Sequence, residues 1–230
     1  MQVLAKKPPT LNAAMAAVRD RRGHLSNVHI FQSPKNECRL VIKGDIAFMV
    51  AILLEGDPNV VRYLVDPPAV QTVIEGESRG TQVDFAIWFE DGHEEWWECK
   101  RARDARPGRT GRAQAQLSAQ AQAAQMAGIV YRVVTDEEVQ TKIYLFDNWL
   151  TLCGAITRAR GHPCYVEQEA LRVAFGQHGR VTLATLLERD GIDQGAMLGL
   201  IGKLLQQGTV TCDLDTRLFG LDSIIERRAP

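Results

Sequence analysis

The chain has 230 residues, of which 45% are apolar and 24% charged, and 27 Lys and Arg against 28 Asp and Glu give a net charge of −1. These proportions are typical of a globular protein and exclude a disordered tail, a fibrous repeat and a disulfide-dense miniprotein. The length fits one large domain or two modest ones. The neutral balance by itself argues against a nucleic-acid-binding domain, because such domains are usually basic.

No stretch approaches the roughly 18 apolar residues of a membrane span. The first residues contain no apolar run long enough for a signal peptide, so a cytoplasmic location is expected. The cysteines are scattered and form no C-x-x-C pair, which favours free thiols over a zinc site or a disulfide framework. His162 and Cys164 are close in sequence but have no partners at metal-ligand spacing, so no metal site is expected there.

The first part of the chain has the pattern of an α/β domain. Residues 1–36 are polar and are interpreted as irregular, with one short helix over 11–19. Residues 46–55 are apolar on all sides and predict a buried helix, which ends at Gly56-Asp57-Pro58. β-Branched and aromatic runs then predict strands, at 60–65, 69–75, 81–89, 94–100 and 129–134.

Two connections in this domain are distinctive. Asp91-Gly92 predicts a hairpin between the strands at 81–89 and 94–100. A basic loop over 101–111 then leads into an Ala/Gln-rich segment, 112–126, which predicts a helix ended by Gly128.

The pattern changes near residue 144. Helices are expected over 146–160, 165–175, 183–189 and 194–207, with a short strand at 180–183 and a strand pair at 209–214 and 217–221. This is the element order of a winged helix. The chain is therefore divided into a domain of residues 1–140 and a winged-helix domain of residues 141–230, with a linker between 135 and 144.

The most informative chemical pattern is Asp84 followed by Glu98-Cys99-Lys100. Side chains alternate along a strand, so Glu98 and Lys100 face the same side. With Asp84 they form a trio suited to metal-dependent phosphodiester cleavage. The two carboxylates offer the oxygen ligands that Mg²⁺ prefers, the metal would activate a water, and Lys100 would act as base or stabilise developing charge.

The hairpin register tests this arrangement. A two-residue turn would place Asp84 opposite Cys99 and point it away from Glu98 and Lys100. A three-residue loop, Asp91 to His93, would pair Asp84 with Lys100 and bring the trio together. We therefore expect an odd loop or a β-bulge.

The trio has a simpler explanation, since strands often carry charged outer faces. Two features favour the site. The surrounding side chains are unusually apolar, among them Phe85, Ile87 and Trp96. Residues 100–112 have a net charge of +5. A solvated loop would explain this charge, but beside a metal site it is better interpreted as a clamp for phosphates; the arginines are Arg101, Arg103, Arg106, Arg109 and Arg112.

With these features the chain resembles the restriction-endonuclease-like PD-(D/E)xK superfamily and, within it, the TnsA-type endonucleases of heteromeric transposons. In that family a helix ending in LLE-x-DP-x-V precedes a Pro-marked strand, a PDF strand, an ExK strand and a strand closing with VTD. The matching segments are 53–60, 63–67, 83–85, 97–100 and 131–136. The resemblance implies a mixed sheet flanked by helices and, after it, a winged helix.

The match departs from the family pattern in places. Val83 stands where the family usually has Pro, and Asp66 where it often has Gln. The family also carries an acidic residue on the helix before the strands. Asp45 is the candidate here and Glu37 a weaker one. Asp45 is equally explained as a helix-start residue favoured by the macrodipole.

The resemblance implies a Mg²⁺-dependent endonuclease that cleaves the 5′ ends of a transposon in double-stranded DNA, with Mn²⁺ able to substitute. Asp84 and Glu98 would hold the metal, and Lys100 and Asp45 would complete the catalytic set. A separate DDE transposase would process the 3′ ends. An AAA+ ATPase regulator would contact the complex, partly through the C-terminal part of the endonuclease.

The expected recognition helix of the winged helix, residues 191–208, is mainly apolar and contains a single lysine, Lys203. This favours protein docking, with DNA contact and a purely structural role as alternatives. Gln116 and Gln120 share one face of the Ala/Gln helix, which is interpreted as a surface helix without a catalytic role.

Two rival functions stay open. One is a stand-alone restriction or repair nuclease of the same fold. The other is a non-catalytic interaction module with a degenerate nuclease fold, which the lack of a clear helix glutamate favours. Because the positive charge lies in one loop, the chain is expected to bind DNA weakly alone, which favours a partner-dependent subunit.

Overall fold

The structure, a computed structural model, describes residues 27–74, 77–106 and 111–228. The helix expected over 11–19 lies outside these ranges. The described chain forms two compact units, the first extending to Ala51 and including Asn59–Thr141, the second comprising Ile52–Pro58 and the chain from Lys142. The expected mixed α/β class is confirmed. Within the described ranges, no helix is both long and apolar enough to cross a membrane.

The interpretation of residues 1–36 as irregular is wrong for its last part. Strands β1 (Val28–Ser33) and β2 (Cys38–Lys43) form an antiparallel hairpin in the first unit. Phe31 lies opposite Leu40 and both side chains are buried. The strand was missed because β1 lacks apolar alternation, and its partner across a short turn stabilises it.

The predicted buried helix is confirmed as α1 (Asp45–Gly56). Its interior positions are buried; they are Ala47, Val50, Ala51, Ile52 and Leu54. Packing as well as the turn requires glycine at position 56, because a Cβ on Gly56 would lie 2.1 Å from the indole nitrogen of Trp149.

Four strands of the first unit form a mixed sheet in the order β3-β6-β7-β8. They are β3 (Val60–Val65), β6 (Phe85–Phe89), β7 (Glu94–Lys100) and β8 (Val130–Thr135). The first three are antiparallel neighbours, and β8 runs parallel to β7. A parallel pair needs a long crossover, which here contains α3 (Arg112–Ala127), ended by Gly128 in the left-handed conformation as predicted.

Helix α3 covers one face of this sheet. Ala123 and Ala124 of the helix form a buried cluster with Ala86 of β6 and Trp96 of β7. Side chains alternate along each strand, so residues two apart from Ala86 and Trp96 face the same side. Glu98 occupies such a position on β7, and Gln120 of α3 donates to it, so the sheet presents Glu98 on the side that α3 covers.

The strand predicted over 81–89 is two separate elements. Thr81 ends β5 (Glu77–Thr81), which pairs with β4 (Val70–Ile74) in a two-stranded sheet, and β6 begins only at Phe85. Strand β5 is polar and contains Gly80, so its sequence carries no strand signal, and backbone pairing with β4 forms it.

The basic loop and the predicted linker both contain short helices. Helix α2 (Ala102–Ala105) follows Lys100, and α4 (Asp136–Gln140) follows β8. The Thr135 side chain caps α4, and Asp136 accepts a hydrogen bond of 2.7 Å from the backbone N–H of Ala102. Thr followed by acidic residues is a helix-start signal, which the linker expectation overlooked.

The second unit contains four helices and three short strands among its described residues. They are α5 (Ile143–Arg158), α6 (Tyr165–His178), β9 (Arg180–Thr182), α7 (Leu183–Leu187), α8 (Gln194–Gln206), β10 (Val210–Thr211) and β11 (Ile224–Arg227). The strands form a sheet in the order β10-β11-β9.

The strand predicted at 217–221 is wrong, because the strand lies at β11. Buried Asn148 holds the preceding segment as a loop. Its amide donates to the carbonyls of Leu214 and Arg217 and accepts from the N–H of Phe219, all within 2.8 Å. These bonds replace the ladder that a strand would need.

Helix α8 packs closely against α5. A Cβ at Gly199 would lie 2.2 Å from Ala159 Cβ, so only glycine allows this approach. The apolar side chains of α8 are all buried or half-buried; they are Met197, Leu198, Leu200, Ile201, Leu204 and Leu205. Packing within the unit therefore explains the apolar character that the sequence interpretation assigned to a docking surface.

Candidate active site

The hairpin between β6 and β7 has the expected odd loop. Trp88 pairs with Glu94, and the N–H of Phe89 donates to the carbonyl of His93 at 3.0 Å. The loop is therefore Glu90 to Gly92, one position earlier than predicted. Continued by one pair beyond Phe85 and Trp97, this register places Asp84 opposite Glu98 rather than opposite Lys100.

The trio is brought together as predicted. Asp84 Oδ2 accepts a hydrogen bond of 2.7 Å from the backbone N–H of Cys99, which fixes the carboxyl at the start of β6. Lys100 Nζ lies 2.5 Å from Glu98 Oε1. Glu98 is 2% exposed and Lys100 21%, so the carboxylate lies inside and the ammonium lies nearer the solvent.

Two glutamines of α3 complete the shell around Glu98. Gln120 is fully buried, and its Nε2 donates to Glu98 Oε2 at 2.8 Å and to the carbonyl of Gln82 at 2.6 Å. Gln116 bridges the ion pair, donating to Glu98 Oε1 and accepting from Lys100 Nζ, both at 3.3 Å.

Tyr131 of β8 closes the network by donating its hydroxyl hydrogen to Gln120 Oε1 at 2.8 Å. The interpretation of Gln116 and Gln120 as surface residues is therefore wrong, because both contact Glu98. Their spacing of four on one helix face was the available signal. Which face of α3 turns inward was decided by the alanines at 119, 123 and 124, which pack onto the sheet.

Burial and neighbouring charges shift the pKa values of two side chains at this site. Burial, and then the charge of Glu98, raise the pKa of Asp84 to about 7, despite the Cys99 N–H and Lys100. Burial likewise raises the pKa of the Tyr131 hydroxyl, which stays neutral as a donor. Two carboxylates that repel each other, facing a single ammonium, form an oxygen-rich set that a divalent cation would stabilise. The residues therefore fit Mg²⁺.

Asp45 is not joined to the trio. Its carboxylate, 65% exposed at the start of α1, accepts hydrogen bonds of 2.9 Å from both Asn27 Nδ2 and His29 Nε2. These bonds, the one from Asn27 most, hold its pKa below the usual value. In the described residues no hydrogen bond or ion pair connects Asp45 with Asp84, Glu98 or Lys100. Glu37, the weaker candidate, lies in the turn between β1 and β2 with a φ of 53°.

The basic segment directly follows Lys100. Arg101, Arg103 and Arg106 are exposed, and Arg103 has a loose contact of 3.8 Å with Asp104. Arg101 is near enough to Asp45 to lower its pKa. Arg109 and the side chain of Arg112 lie outside the described parts of the chain. Three arginines are thus available to solvent within six residues of the trio.

Comparison of the chain with protein-family models and with curated proteins gives no match.

Proposed function

We propose that this chain is a Mg²⁺-dependent DNA endonuclease of the PD-(D/E)xK type that acts as a TnsA-like subunit of a transposase. The observation that carries the proposal is the convergence of Asp84, Glu98 and Lys100 beside strand β7. Lys100 Nζ lies 2.5 Å from Glu98 Oε1, and Asp84 is near enough for both charges to act on its pKa. The first unit also has the element order that a restriction-endonuclease-like fold requires, namely a helix, antiparallel strands, a helix and a parallel strand. The element order of the second unit supports a winged helix.

Each residue has a distinct part in the proposed hydrolysis. Asp84 and Glu98 would hold Mg²⁺, which when bound polarises the scissile phosphate and acidifies water. Glu98 is fixed by Gln116 and Gln120, so its oxygens cannot turn away. Lys100 would orient the attacking water or stabilise charge on the phosphate as it develops.

The arginines after Lys100 would bind the phosphate backbone. Arg101, Arg103 and Arg106 are exposed side chains on and beside α2, close in sequence to the trio. Backbone contacts of this kind position the duplex and carry no sequence information. Recognition of the transposon ends would therefore depend on the transposase and an AAA+ regulator.

The decisive experiment is 5′-strand cleavage by the chain together with its transposase and Mg²⁺. The parent should cleave, and Asp84→Ala and Lys100→Ala should reduce cleavage by at least about a hundredfold. Asp91→Ala, in the hairpin loop, serves as the matched control and should cleave normally. Unchanged cleavage by Asp84→Ala would overturn the enzymatic assignment. Strong cleavage by the chain alone would favour a stand-alone nuclease.

The lack of a described hydrogen bond or ion pair between Asp45 and the trio favours a second candidate, a non-catalytic interaction module. A module would be unaffected by Asp84→Asn in assembly with its partners and would show no cleavage at any metal concentration. The retained network of Gln116, Gln120 and Tyr131 around Glu98 supports the enzyme instead, since a decayed site would have no need to fix a buried carboxylate.

A further inference from the structure

A second group of metal-ligating side chains lies in the second unit. His162 and Cys164 lie in the turn after α5, and Glu167 lies in the first turn of α6. Their ligand atoms all lie within 4.8 Å of one another. We propose that these three residues bind a Zn²⁺ ion.

Glu167 supplies the first argument. It is 2% exposed, and the one hydrogen bond described for its carboxylate comes from the backbone N–H of Asp193 at 3.1 Å. Among the described residues no lysine or arginine forms an ion pair with it. A buried carboxylate without a cation is costly. A metal held by His162 and Cys164 supplies the compensating charge.

The spacing of His162 and Cys164 supplies the second argument. Nδ1 of His162 lies 3.4 Å from Sγ of Cys164. Ligands at zinc bond lengths of 2.0–2.3 Å in a tetrahedron are separated by about 3.5 Å. The N–H of Cys164 also donates to this Nδ1 at 3.1 Å, so the nitrogen is unprotonated, and its lone pair would exchange this hydrogen bond for the metal on binding. An unprotonated nitrogen is the form that binds a metal.

The donor set selects the metal. Thiolate, imidazole and carboxylate together suit Zn²⁺, whereas Mg²⁺ prefers oxygen alone. On binding, the zinc–sulfur bond forms and the thiol proton leaves to solvent. Three protein ligands leave a fourth position for water. The sequence pattern H-x-C-x-x-E was insufficient to predict this site because the start of α6 had to bring Glu167 back to the turn.

Co²⁺ is the probe for the test, because thiolate coordination gives a charge-transfer band that oxygen ligands do not. The full chain should bind one thiolate-coordinated Co²⁺, and excess Zn²⁺ should remove the band. Cys164→Ser should abolish the band, and His162→Gln should weaken binding by at least about tenfold. Since His162 is exposed, its replacement leaves the fold intact.

Two matched cysteines serve as controls. Cys99 neighbours Asp84 and Glu98, where Co²⁺ can also bind, and Cys212 lies elsewhere in the second unit. Cys99→Ser and Cys212→Ser should both retain the band. The zinc site would be overturned if the parent chain showed no band. It would also be overturned if Cys99→Ser lost the band while Cys164→Ser kept it, or if His162→Gln left the Co²⁺ affinity unchanged. Cleavage by the trio tests the proposed nuclease separately.

Discussion

The carboxylate of Glu98 accepts hydrogen bonds from three side chains, Lys100, Gln116 and Gln120. A buried charge needs this number of donors, because each lone pair left without a partner costs desolvation energy. Gln120 carries the largest share, since it joins Glu98, the backbone of Gln82 and Tyr131. Its amide fixes the direction of the Glu98 side chain.

Gln120→Ala should therefore destabilise the chain by about 1–3 kcal/mol, because buried donors and acceptors lose their partners. Urea unfolding measures this difference. Gln122→Ala on the exposed face of the same helix is the matched control and should change the free energy of unfolding by less than about 0.5 kcal/mol. Equal effects of the two substitutions would contradict the proposed network.

Asp84 gives a prediction about pH. Its pKa is raised to about 7 from the usual 3.8, so the folded chain holds the proton more tightly than the unfolded chain. The associated stability is complete below the usual value and is lost as the pH rises through about 7. Asn at this position cannot ionise and still offers an oxygen to the Cys99 N–H.

Without divalent cations, the stability gained by Asp84→Asn should be roughly 2–3 kcal/mol larger at pH 8 than at pH 5. Urea unfolding at the two pH values checks this. Asp91→Asn is the matched control with the opposite sign, because His93 lowers the pKa of Asp91. It should give no gain at pH 8, and an Asp84→Asn gain that is independent of pH would contradict the burial argument.

At the scale of elements, the approach of α8 to α5 depends on glycine. A Cβ at Gly199 would meet Ala159 Cβ at 2.2 Å and the carbonyl oxygen of Ala155 at 3.0 Å. Neither the backbone nor a Cβ can yield as a flexible side chain would, so the helices would have to separate. Separation would in turn expose Met197 and Ile201, which are fully buried.

Gly199→Ala should consequently lower the free energy of unfolding by about 1–3 kcal/mol. Gly176→Ala in α6 is the control, because a Cβ there meets nothing within 4 Å. It should stabilise the chain by about 0.5–1 kcal/mol, since alanine favours a helix. Thermal or urea unfolding compares the two, and a stabilised Gly199→Ala would contradict the close packing.

At the scale of the whole molecule, a net charge of −1 conceals a strongly basic segment. Arg101, Arg103 and Arg106 are exposed and follow the trio directly. No separate stretch of the same length in the sequence carries a net charge as high as the +5 of residues 100–112. If this segment binds DNA phosphates, the chain alone should bind weakly and with a salt dependence set by few contacts.

Replacing Arg101, Arg103 and Arg106 together by alanine should reduce the slope of log affinity against log salt by about 2–3. Fluorescence anisotropy with a short duplex at several salt concentrations measures the slope. Arg172→Ala is the control, because this exposed arginine in the second unit is ion-paired with Glu169 at 2.6 Å. An unchanged slope in the triple variant would place the DNA contacts elsewhere.

Much of the fold followed from local pattern. The apolar run of α1, the strands β3 and β7, and the Ala/Gln-rich helix with Gly128 were predicted close to their observed bounds. The failures share one cause. Strands β1 and β5 depend on backbone pairing with the strand next to each in the chain, and the position of β11 depends on β9, β10 and buried Asn148. Such pairings leave little mark in the residue types of a local window.

The sequence by itself determined the residue types of the trio and their spacing. It also determined that Glu98 and Lys100 face one side, because side chains alternate along a strand. The tertiary structure decided the register of the hairpin, which face of α3 turns inward and how Gln116 and Gln120 meet Glu98. It also decided that Asp45 lies with Asn27 and His29, and that Glu167 approaches His162 and Cys164. The inward face of α3 and the partners of Glu98 and Asp45 depend on how separate elements pack, and packing is set by contacts between residues that the sequence keeps apart.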